Sequence, residues 1–96
     1  MAVLSADEVA AALAGLTGWE GDAAAIRRQV EAADFPTAIQ IVDDIAVAAE
    51  QADHHPDIDI RWRTLRLVLA THSEGGVTAK DLELARTIDG IVAAHS

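Results

Sequence analysis

Imidazole is the side chain whose unperturbed pKa, about 6.5, lets it give or take a proton near neutral pH. The chain has four histidines and no cysteine in 96 residues. Three of them, His54, His55 and His72, fall in one stretch, EQADHHPDIDIRWRTLRLVLATH, from Glu50 to His72. Imidazoles brought into one site could serve as general acid and general base, each role worth roughly 10²–10⁴-fold in rate. Spacing alone does not bring them together, and each taken singly also reads as a surface or capping histidine. Glu50 lies four residues before His54, one helical turn away. It either orients that ring or forms an ordinary i,i+4 surface pair. His95, beside the C-terminus, is left out of the candidate site.

A second chemistry is metal binding. Three histidines with Glu50 or Asp81 could hold zinc or iron(II). Adjacent histidines rarely chelate one ion, and neither H-x-x-x-H nor H-x-H occurs. With no cysteine, thiolate nucleophiles, disulfides and Cys-based metal sites are excluded. No Gly-rich phosphate loop, G-x-S-x-G or dinucleotide fingerprint is present.

The elements that must position these residues follow from pattern. Ser5 and Glu8 have the form of a capping box ahead of an apolar run, which predicts a helix over about 6–14. A short strand around Gly18–Glu20, a turn at Gly21–Asp22 and alternation from Ala24 to Glu31 predict a hairpin, although Arg28 breaks its apolar face. Asp34 as cap and Pro36 in the first turn open a helix to about Asp53. Its expected buried stripe is Phe35, Ile39, Val42, Ile45, Ala46 and Ala49. Pro56 disfavours helix at His55, so His54 and His55 sit at a helix C-terminus. From Ile58 to His72 the apolar parity shifts between Trp62 and Leu65. One strand cannot carry both parities on one face, so two strands with a turn near Arg63–Thr64 are predicted. Ser73–Gly76 reads as a turn. Thr78 and Asp81 form a second capping pattern, opening a helix to about Ala94 with Leu82, Ala85, Ile88, Ile91 and Val92 inward. The order α-β-β-α-β-β-α predicts an α+β two-layer sandwich. It is a single domain over residues 1–96, a four-stranded antiparallel sheet with three helices on one face.

Composition narrows the function classes. Sixteen acids against seven bases give a formal net charge of −9, which argues against a nucleic-acid partner and against an anionic membrane surface. No apolar run is long enough to span a bilayer and no signal peptide is evident, so a cytoplasmic protein is expected. Seven acids and no base lie between Asp34 and Asp59, and then Arg61, Arg63 and Arg66 follow. These arginines are either cross-strand and solvated charges or a positive edge beside a pocket. Half the residues are hydrophobic but many are alanine, which buries little area, so self-association is a further expectation.

Glu50, His54-His55-Pro56, Trp62, Thr71-His72, Gly75-Gly76, Thr78 and Asp81, at these spacings and continuing into DLELARTID, resemble the pterin-4a-carbinolamine dehydratase family. Gly18–Trp19 and the Asp34–Phe35 helix start are similar too, so the likeness covers nearly the whole chain. The resemblance implies loss of water from 4a-hydroxytetrahydropterin to give quinonoid dihydropterin, in tetrahydropterin recycling after aromatic amino-acid hydroxylation. It implies no metal, no organic cofactor, a small-molecule pterin substrate, and a homodimer or homotetramer. By the resemblance, His54 and His72 are the acid/base pair, and His55 binds the pterin and shares in catalysis. Trp62 and Thr71 contact substrate, Glu50 orients a histidine, and Asp81 supports His72 or the helix start beside it. Trp62–Arg63 stands where many members have Tyr-Asn, so a hydroxyl is lost there. The alternative implied by the same fold is a non-catalytic dimerisation or assembly-chaperone protein.

Overall fold

The structure is a computed structural model and describes residues 2–96. Its elements are α1 (Ala6–Leu13), β1 (Trp19–Gly21), β2 (Ile26–Glu31), α2 (Phe35–Ala52), β3 (Asp57–Arg61), β4 (Thr64–Leu69), a 3₁₀ turn (His72–Glu74) and α3 (Ala79–Ala94). The four strands form one antiparallel sheet in the order β1-β2-β4-β3. Three helices and a four-stranded antiparallel sheet are thus present in the expected order.

Alternation along the central strands decides which face is covered. Ile26 and Val30 of β2 and Leu65, Leu67 and Leu69 of β4 are buried in a single cluster with Ile41 and Ile45 of α2 and Leu84, Ala85 and Ile88 of α3. Register sets Leu67 between Arg28 and Ile58. Each such leucine, fully buried, contributes roughly 1.5–3 kcal/mol. The intervening Arg27, Gln29, Asp59 and Arg66 are exposed on the open face.

Both capping boxes form, at Ser5–Glu8 and at Thr78–Asp81. Asp34 caps α2, accepting from the Thr37 N–H at 2.8 Å. Bonds from Thr37 hold the Asp34 carboxyl below its usual 3.8, and bonds from Ser5 hold Glu8 below its usual 4.5. A carboxyl with a depressed folded-state pKa contributes stability above its unfolded value, which is lost as pH falls through the folded value. Thermal stability should therefore decline on the acid side of about pH 4. Asp34→Asn, which keeps a capping oxygen, should flatten that decline when melting temperature is followed against pH.

Two sequence expectations change. The buried stripe of α2 is Ala38, Ile41, Ile45 and Ala49. Phe35 is 47% exposed and Ala46 is also exposed, while Ile39 and Val42 are half-buried. Apolar residues extend round more than one face of this helix, so two overlapping stripes fit the period and packing selects one. Leu84, absent from the expected face of α3, is buried, and Leu82, Ile91 and Val92 only flank the core. The turn between β3 and β4 falls at Trp62–Arg63 and needs no glycine, because Trp62 itself takes a left-handed conformation with φ of 54°.

Candidate active site

The site is assembled where α2 ends, where β4 ends and where α3 begins. Asp53 closes α2 in a left-handed conformation, φ 49° and ψ 45°, which aspartate adopts more readily than most residues. The His54 N–H still reaches back to the Ala49 carbonyl at 3.0 Å. This reversal breaks the helical periodicity and separates the two adjacent rings. His54 turns into the protein and is 9% exposed, whereas His55 stays outside.

Inside, the His54 Nε2 lies 2.5 Å from Oδ1 of Asp81, which is wholly buried on α3. The Asp81 Oδ2 accepts from the Thr71 hydroxyl at 2.8 Å and from the Thr78 N–H at 2.9 Å. The Thr71 and Thr78 hydroxyls are 2.7 Å apart. An ionised carboxylate only accepts. His54 therefore donates its Nε2 proton to Asp81, Thr71 gives its single proton to Asp81, and Thr78 donates to Thr71. One proton arrangement satisfies every group, and among the described residues no buried side-chain nitrogen or oxygen lacks a partner. Such a network is rigid, and it leaves Nδ1 as the ring nitrogen of His54 that the network does not hold.

Outside, the His55 Nε2 lies 2.6 Å from Glu50 Oε1, both side chains exposed. Glu50 thus orients His55. The pairing with His54 expected from i,i+4 spacing is not formed, because the helix stops before that turn is complete. Asp81 is tied to His54 and to the helix start, not to His72.

His72 opens the 3₁₀ turn and is exposed. The turn is held from below. Thr71 pairs with Gly76, and the Val77 N–H bonds to the Ala23 carbonyl of the β1–β2 loop at 2.9 Å. Gly75 takes φ of 80°, and a Cβ on Gly76 would lie 2.7 Å from the Ala23 carbonyl oxygen. The glycine pair is therefore needed for a left-handed turn and a close approach, respectively. A cavity of about 340 Å³ includes His54, His55, Thr71, His72 and Lys80 in its walls. All three expected histidines meet there.

Thr71 joins them in the wall, but Trp62 and the arginines do not. Trp62 sits at the far tip of the β3–β4 hairpin, 70% exposed, with the Arg63 guanidinium 4.9 Å from its ring centre. Trp62→Ala is expected to change kcat/KM by less than about two-fold, as for an exposed residue away from the chemistry; a larger loss in steady-state assays would place the hairpin tip of one protomer on the site of another. The Thr71 hydroxyl is spent on Asp81. Arg61 and Arg63 pair with Asp59 and Glu31, at 3.4 and 2.7 Å, and Arg66 lies on the open sheet face. The arginine run thus makes surface charges and not a rim for the histidine cavity. Among the described residues no three His, Asp or Glu side chains are grouped as metal ligands would be.

Two features had no place in the pattern reading. Arg28 breaks the apolar face of β2 because its guanidinium bonds to Asp89 of α3, which also accepts from the Trp19 indole N–H at 2.8 Å. Lys80 borders the histidine cavity, and its only sequence signal is that it is the chain's one lysine and precedes Asp81.

Comparison with known proteins is consistent with this geometry. Residues 2–91 match the sequence model of a family described as pterin 4 alpha carbinolamine dehydratase. A protein of Mycobacterium sp. (strain KMS), named "Putative pterin-4-alpha-carbinolamine dehydratase", is 56% identical over 92 residues, covering 96% of this chain and 98% of its own. One of the same name from Mycobacteroides abscessus is 57% identical over 89 residues, covering 93% and 95%. The crystal structure of a transcriptional coactivator/pterin dehydratase from Brucella melitensis superposes with a TM-score of 0.89 at 37% identity, over 93% of this chain and 97% of that one. A pterin dehydratase-like protein described as a RuBisCO assembly factor in the alpha-carboxysome shares the fold, with a TM-score of 0.65 at 13% identity over 77% and 86% of the chains.

Proposed function

The chain belongs to the pterin 4 alpha carbinolamine dehydratase family, and from that premise we propose that it removes water from 4a-hydroxytetrahydropterin to give quinonoid dihydropterin. The observation that carries the reading is the buried His54–Asp81 contact, at 2.5 Å, in the wall of a cavity that His55 and His72 also line.

The reaction breaks the C4a–O bond, removes the N5 proton and forms the C4a=N5 double bond. The oxygen leaves as water once it is protonated. His54 accepts the N5 proton at Nδ1, and the Asp81 carboxylate against Nε2 stabilises the imidazolium that results, as a buried carboxylate does in hydrolase triads. His72, mounted on the rigid 3₁₀ turn with its ring exposed, protonates the departing hydroxyl. His55, held by Glu50, binds the pterin and can relay protons to solvent. These steps need only positioned acids and bases. No redox change occurs, so no electron carrier is called for.

The direct test is to supply 4a-hydroxytetrahydropterin and follow water loss against the spontaneous rate. Wild-type protein no faster than buffer would overturn the reading. A chelator that abolished activity would replace it with a metal-dependent one.

Self-association forms part of the proposal. Phe35 and Val47 of α2 are 47% and 60% exposed, large apolar groups on the longest helix of a small domain. Light scattering at micromolar concentration should give a dimer or tetramer, and a monomer would contradict this. An assembly role like the one named for the alpha-carboxysome protein has only the shared fold in its favour, and it leaves the grouped histidines without a task.

A further inference from the structure

His54 and His72 are carried by different elements, the end of α2 and the 3₁₀ turn after β4. A proton acceptor and a proton donor that act on one molecule need a fixed spacing, since a misplacement of about 1 Å can cost roughly 10²-fold in rate. Thr71 meets both halves. Its hydroxyl donates to Oδ2 of Asp81 at 2.8 Å, and Oδ1 of the same carboxylate holds His54. Its carbonyl accepts from the Glu74 and Gly75 N–H groups, both at 3.0 Å, and its own N–H donates to the Gly76 carbonyl at 2.9 Å. Those are bonds of the turn that begins with His72, the next residue in the chain.

Packing alone gives no reason for a hydroxyl here. Leu65, Leu67 and Leu69 are buried on the core face of β4, and Thr71, 6% exposed, continues their parity two residues on. Another apolar side chain would serve the core as well. The hydroxyl is instead engaged within the protein. The Thr78 oxygen accepts from the Lys80 N–H at 3.3 Å and lies 2.7 Å from that of Thr71. Each hydroxyl has one proton, so the donors run in one direction, from the first turn of α3 through Thr78 and Thr71 to the carboxylate. We infer that Thr71 is a positioning residue for the dehydration: its hydroxyl pins the end of β4, and with it the His72 turn, against the His54–Asp81 pair. It acts through these neighbours and sets the distance between the two rings. This rests on the dehydratase reading and adds to it a residue that aligns the acid with the base.

The test compares Thr71→Val with Thr71→Ser. Valine sets a methyl against two oxygens, Asp81 Oδ2 and Thr78 Oγ, and the end of β4 should draw away from α3. Its kcat for 4a-hydroxytetrahydropterin is expected to fall by roughly 10- to 100-fold. KM should change little, because alignment in the transition state is lost and not substrate binding. Serine keeps the hydroxyl and should keep the wild-type kcat. Amide hydrogen exchange at Glu74 and Gly75 should quicken in Thr71→Val and not in Thr71→Ser. Wild type offers a check that needs no variant: the Gly75 amide should resist exchange as strongly as the Thr78 amide, which is bonded to Asp81. Wild-type kcat in Thr71→Val, a Thr71→Ser as slow as Thr71→Val, or free exchange at Gly75 in wild type would overturn the inference while leaving the dehydratase reading standing. Failure of wild type to dehydrate the substrate would overturn both.

Discussion

Replacing His72 with alanine is expected to lower kcat for dehydration by roughly 10²–10⁴-fold and to move the melting temperature by no more than about 4 °C. The asymmetry follows from where the ring sits. His72 is exposed on a turn whose backbone is fixed by Thr71, Gly76 and Val77. Its imidazole supports nothing beneath it, so removing it deletes the proposed proton donor and little else. His54→Ala should behave differently. The same loss in rate is expected, but Asp81 would be left as a buried carboxylate without its imidazole partner. Breaking such a pair costs roughly 3–5 kcal/mol. Steady-state kinetics beside thermal melts separate the two. Equal rates in wild type, His54→Ala and His72→Ala would refute the assignment of the site.

Asp81→Asn is the second variant with a large expected effect, because it changes which protons are where and leaves the shape alone. The asparagine oxygen can still accept from the Thr78 N–H and the Thr71 hydroxyl, as Oδ2 does now. Its amide nitrogen then faces His54 Nε2. It donates there, and the ring must move its own proton to Nδ1. The nitrogen proposed to accept a proton would be occupied, and the carboxylate that stabilises the imidazolium would be gone. A fall in kcat of about 10²–10⁴-fold is expected, on the scale of wrong-tautomer variants in hydrolase triads, with a stability loss of only about 1–2 kcal/mol. A variant that lost stability but kept its rate would reduce Asp81 to a helix cap.

How much of this was legible beforehand depended on range. The parity shift after Trp62 was enough to divide β3 from β4, since side chains alternate strictly along a strand. The turn residue was not legible, because a left-handed tryptophan carries no glycine or proline signal. Helix α2 was plain, but its inward face was not, because Phe35, Ile39, Val42 and Ala46 continue the apolar surface past the core. The three histidines were visible as a group. Their true partners were not. Glu50 was assigned to His54 by helical spacing, and Asp53 ends that spacing one residue too soon. The His54–Asp81 bond joins residues 27 apart, and no local period encodes it. Pattern reading offered Asp81 as a helix cap or a metal ligand; the resemblance gave it a supporting role, and named His72 as one of two supported groups where the structure has His54. Trp62, carried over from the same motif, lies across the length of the hairpin from the cavity.

Asp81 closes the first turn of α3 with one oxygen and holds His54 with the other. Order of the proposed catalytic pair and order of the helix are therefore a single event in this chain. A local opening that frayed the start of α3 would release the imidazole, and ordering of the imidazole requires that turn to be wound. The dyad belongs to the same cooperative unit as the core helix and not to a mobile rim. On heating, activity and the backbone amide of Thr78 should lose their protection together, at the temperature where the whole domain unfolds.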